Sequence, residues 1–125
     1  MRLPISHLVI VRSLIAGCLL EYRSRQGDFF DSANRSDNST GARRAFFLFM
    51  RRHTDVSYTW LARYLEMNHT SCIQSVRKAM VLLNEDGPWA ASYRRIEAAL
   101  TQRSQHGGTI EEAKEQAAEE RQGKG

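Results

Sequence analysis

The chain has 125 residues, 42% hydrophobic and 26% charged, with 18 Lys and Arg against 14 Asp and Glu. That length supports one domain with its own core, and so ordinary a composition excludes collagen-like, low-complexity and disulfide-rich scaffolds. Residues 1–102 hold 14 basic against 9 acidic side chains and residues 103–125 hold 4 against 5, so the excess positive charge belongs to the body, where it suits either an anionic polymer such as nucleic acid or a merely solvated basic surface.

In chain order, a first helix is expected over residues 5–25, opened by Pro4 and Ser6. Leu8, Ile15, Leu19 and Tyr22 share one face, with Val11 beside them. Gly17 lowers its propensity but allows close packing. "LIAGC" (14–18) has the form of a lipoprotein cleavage site. Arg12 leaves the apolar run too short for that processing and too short to span a bilayer, so the segment reads as a core helix. "GDFF" (27–30) reads as a break and a short helical turn, and residues 31–42, rich in turn formers, as a mobile loop.

A second helix is expected over 42–53, with Phe46, Phe49 and Met50 buried and Phe47 adjacent. Ser57 suits an N-cap for a helix carrying Trp60, Leu61 and Tyr64. After the tight turn "EMN" (66–68), Asn68 can cap a helix over 69–83 whose inward stripe is Ile73, Val76, Met80 and Leu83. Gly87 stops that helix and Pro88 opens the last, over 88–102, with Trp89, Tyr93, Ile96 and Leu100 on one face. No segment alternates like a strand. The expected class is all-α: a helix-turn-helix domain over 1–102 and a disordered or frayed polar tail over 103–125.

The chemistry narrows by elimination. Cys18 and Cys72 sit far apart in apolar surroundings, which favours buried free thiols in a cytoplasmic protein over a disulfide. The four histidines and two cysteines lack metal-ligand spacing, and the aspartates at 28–37 do not form a calcium loop. His69 and Cys72 could pair as base and nucleophile, but no orienting acid or oxyanion hole accompanies them. There is no Gly-rich phosphate loop. The expectation is a protein that is not an enzyme, needs no cofactor or nucleotide, and acts as a monomer without membrane contact.

The spacing points to recognition. Two helices joined by a very short turn form a helix-turn-helix. If the second packs through Ile73, Val76 and Met80, it turns Thr70, Gln74, Arg77 and Lys78 outward, and its exposed start carries His69 and Ser71, where recognition helices meet base edges. Arg77 and Lys78 suit flanking phosphates. The plainer alternative is that His69, Thr70 and Ser71 only cap a helix and that the two cations are solvated.

"NHTSCIQSVRK" (68–78) also resembles the signature of the C-terminal DNA-binding domain of DnaA, the bacterial chromosomal replication initiator. "EYRSRQGDFF", "ARRAFFLFM", "VSYTWLARYL" and "SYRRIEAAL" resemble further segments of that domain, in order, over roughly residues 5–100. The resemblance implies that His69 and Thr70 contact bases in the major groove. It places Asn68 where the family has an aspartate, and sends Arg43 into the adjacent minor groove with Arg44 beside it. Ser71, Arg77 and Lys78 would hold phosphates. Met67 stands in place of the family's motif arginine, and Asp37 lies in a loop that is usually more basic. The implied function is binding of double-stranded DNA at DnaA-box-like sites, associated with the nucleoid. It would modulate replication initiation or transcription without ATPase activity, in a bacterium or phage. The competing reading keeps the fold but docks it on a replication-initiation protein.

Overall fold

The computed structural model describes residues 7–107, with side chains over 9–102. Its helices are α1 (His7–Tyr22), α2 (Gln26–Phe30), α3 (Asp37–His53), α4 (Tyr58–Tyr64), α5 (His69–Glu85) and α6 (Pro88–Gly107). Among the described residues the chain is all-helical, without strands. Of the expected tail, 103–107 continue α6 and 108–125 lie outside the described residues.

"AFFLFM" decides the architecture. Every residue from Ala45 to Met50 is buried, on all sides of α3 and not on one stripe. A helix apolar all round must be enclosed, and α3 is packed by α1, α2, α5 and α6. Phe46, Phe47 and Phe49 are fully buried, each worth about 1.5–3 kcal/mol relative to exposure. Rings also lock edge-on, Phe29 against Phe46 at 5.8 Å.

Two polar clamps tie the layers. At one end Tyr22 donates to the Trp89 carbonyl at 2.9 Å and Trp89 Nε1 donates to the Gly41 carbonyl at 3.0 Å. A Cβ at Gly41 would meet both rings in ordinary van der Waals contact, at 3.4 Å from Tyr22 and 3.5 Å from Trp89. At the other end Glu97 of α6 receives His53 at 2.7 Å, Tyr93 at 3.1 Å and Arg52 at 3.4 Å.

Three expectations need correction. Residues 37–42 are helix, not loop: Ser36 accepts from the Ser39 amide and Asp37 occupies the first turn, so residues read as turn formers are cap formers. The inward stripe of α5 is Cys72, Val76 and Ala79 with Leu83 half-buried, while Met80 is 56% exposed. In α1 the buried set is Ile10, Val11, Leu14 and Cys18, with Ile15, Leu19 and Tyr22 packed beside it. The α5 stripe is turned from the expected face, whereas on α1 the expected Val11, Ile15, Leu19 and Tyr22 all meet the core, which extends further round the helix, and the Leu8 side chain lies outside the described residues.

Candidate nucleic-acid interface

The α4–α5 corner is built from local signals. Ser57 caps α4 by accepting from the Trp60 amide at 3.0 Å. The helix ends where Glu66 takes a left-handed conformation, φ 52°, and the Met67 amide closes on the Ala62 carbonyl at 2.8 Å, the arrangement glycine usually serves. Two residues on, Asn68 caps α5 by accepting from the Thr70 amide at 2.8 Å. A capped turn this short holds the start of α5 at a fixed place on α4.

Every residue of the expected set on α5 is found on its accessible side. Asn68, His69, Thr70, Gln74, Arg77 and Lys78 are exposed and Ser71 is half-buried. The His69 ring meets the edge of Tyr58 at 6.0 Å, and Tyr58 in turn carries the Arg51 guanidinium at 4.3 Å. His69 is thus backed by a stacked pair. Successive residues are about 100° apart on a helix, so Arg77 and Lys78 lie on opposite flanks of the outer face.

A groove of about 490 Å³ runs between α5 and the start of α3. It gathers Asn68, Ser71, Gln74 and Lys78 from α5 with Arg43 and Arg44 from α3. His69, Thr70 and Arg77 are not among its lining; His69 instead borders a shallow hollow with Thr59, Arg63 and Met67. Among the residues the groove adds beyond the sequence reading are Arg35, Thr40 and Ser75. Ser75 was legible, since 68, 71, 75 and 78 recur at helical spacing once α5 has the right phase. Arg35 carried no such signal, because only the fold of the 31–36 loop brings it here.

Arg43 is a correction. Only 5% exposed, its guanidinium donates to the main-chain carbonyls of Asp28 at 3.0 Å, Phe29 at 3.2 Å and Asp31 at 3.3 Å, and also to that of Asn34. It satisfies carbonyls that a helix end leaves without intrahelical partners, fastening α2 and the following loop to α3. A side chain so engaged is not available to a minor groove.

Arg44 is the cation facing outward. Its Nε is buried with no hydrogen-bond partner among the described residues. Burial pulls its guanidinium below the ordinary arginine range, opposed by Asp37. With Arg35, Lys78 and the carbonyl-bound Arg43 it gives the groove four cationic side chains beside one carboxylate, Glu66, and Arg35, Arg44 and Lys78 make no salt bridge among the described residues.

Cys18 and Cys72 are free and buried, and burial pushes both thiols up, away from the reactive thiolate. Among the described residues no group of three His, Cys, Asp or Glu is placed to hold a metal ion, and no helix is long and apolar enough to cross a membrane. Comparison with family models, with curated proteins and with solved structures returned no match for the chain.

Proposed function

We propose that this protein binds double-stranded DNA through the α4–α5 corner, laying the start of α5 in the major groove. The observation that carries this is the groove of Arg35, Arg44 and Lys78 along a recognition-like helix whose first turn carries exposed His69 and Thr70 and half-buried Ser71. Unpaired cations flanking polar, base-sized side chains match the division of labour in which phosphate contacts position and base contacts specify. In this reading His69, Thr70 and Gln74 meet base edges. Lys78, Arg44 and Ser71 hold one strand, and Arg77 the other. The likeness of residues 68–78 to the DnaA signature supports DnaA-box-like sites as the target and modulation of replication initiation or transcription as the role, without nucleotide hydrolysis.

A specific observation favours the second reading, a module that regulates a replication-initiation protein by contact. Met80 is 56% and Val81 48% exposed on α5, and Met80 shares a groove with Leu48, Leu83, Arg51 and Arg52.

Fluorescence anisotropy against a DnaA-box duplex and a scrambled duplex at about 150 mM salt, where charges are screened beyond roughly 8 Å, separates the two. DNA binding predicts preference for the box that His69→Ala flattens. It also predicts that Lys78→Ala weakens both duplexes equally and lowers the salt slope by about one. No binding to either duplex transfers the function to a protein partner.

A further inference from the structure

We propose that Asn68 is a specificity-determining residue that selects guanine over cytosine at the base it faces. The inference rests on the DNA-binding reading and deepens it. A backbone N–H needs an acceptor, so the 2.8 Å bond from the Thr70 amide fixes the Asn68 amide with Oδ1 toward the helix. What remains is Nδ2, with two donors, and it has no hydrogen-bond partner among the described residues. Asn68 is exposed and lines the groove beside Arg44, Ser71 and Gln74.

A side chain held this way is an acceptor toward its own helix and a donor toward a ligand. In the major groove guanine offers two acceptors, N7 and O6. Cytosine offers the N4 amine, which sets donor against donor, and adenine and thymine offer one acceptor each. The choice therefore falls on a G·C pair in one orientation.

Aspartate is the informative replacement. It is nearly isosteric and is itself a preferred N-cap, so it keeps the bond to Thr70, yet it exchanges both outward donors for acceptors. Asn68→Asp should turn the preferred pair from G·C to C·G at one position and leave the others alone.

The experiment is selection from a randomised duplex library with the full chain and with Asn68→Asp, followed by binding of the two consensus duplexes. Circular dichroism melts check that the variant is folded. The expected result is one position enriched in guanine for the native chain and in cytosine for the variant, each preferring its own duplex by about 10-fold. Replacing that guanine by 7-deazaguanine should weaken the native chain and not the variant. An identical consensus for both proteins overturns the assignment of Asn68 while leaving DNA binding intact. Failure of both to retain any duplex overturns the DNA-binding reading itself.

Discussion

Arg43 and Arg44 are adjacent in sequence and about 100° apart around α3, which gives them unrelated work. Arg43, at the floor of the α5 groove, is buried and shared among four carbonyls, while Arg44 lines the same groove without such bonds. Arg43→Ala would strip the Phe29 and Asn34 carbonyls of their side-chain donor, while the Asp28 and Asp31 carbonyls keep the Asp31 and Asn34 amides, at about 2–4 kcal/mol. Arg43→Lys would recover little of this, because an ammonium lacks the planar fork that bonds several oxygens at once. Arg44→Ala should move the urea midpoint little and weaken DNA instead. Urea unfolding and anisotropy on the three variants check this pair of roles. Equal destabilisation by Arg43→Ala and Arg44→Ala would refute the division. No motif distinguishes these residues in the sequence, since the acceptors of Arg43 are main-chain atoms 9 to 15 positions away.

At the scale of elements, what was legible was what is local. Ser57, Asn68 and Pro88 mark helix starts that the fold keeps, because a cap is decided by a residue and its next three neighbours. Rotation about a helix axis is not local. On α5 a stripe of Ile73, Val76, Met80 and Leu83 and a stripe of Cys72, Val76, Ala79 and Leu83 are both periodic, and the bulkier set is the natural choice from sequence. The enclosed α3 favours the other, because its phenylalanines already fill the space and leave room for Cys72 and Ala79. The candidate site was legible as a surface, since most of the rotated face stays exposed, but its partners Arg35 and Thr40 were not. Truncation tests the phase. Val76→Ala should cost about 1–3 kcal/mol by transfer and cavity terms, and Met80→Ala less than about 0.5 kcal/mol. Urea midpoints giving Met80→Ala the larger loss would restore the stripe expected from sequence.

Across the described residues, the carboxylates that form salt bridges lie away from the groove, whose own acids are Glu66 in the lining and Asp37 beside Arg44. Glu97 pairs with Arg52 and His53, Asp86 with Arg94, and Glu21 with Arg95, so these acids engage other cations and leave Arg35, Arg44 and Lys78 without a salt bridge. The Glu97 cluster has the clearest consequence, because it joins α6 to the end of α3. Burial alone raises its carboxyl pKa, but the donors His53, Arg52 and Tyr93 outweigh burial and hold it below the ordinary value. The folded protein therefore takes up a proton there less readily than the unfolded chain. The stabilisation is complete above the ordinary carboxylate pKa of about 4.3, and is lost as pH falls through the lower folded value. Glu97→Gln should cost about 1–2 kcal/mol at pH 7, charge-assisted bonds discounted for the partial exposure of the site. The gap between native and variant urea midpoints should shrink from about pH 5 downward as the native carboxylate is protonated. A gap that stays constant down to pH 3 would mean that the α3–α6 joint is held by packing of Tyr93 and Ile96, with the charge on Glu97 incidental to it.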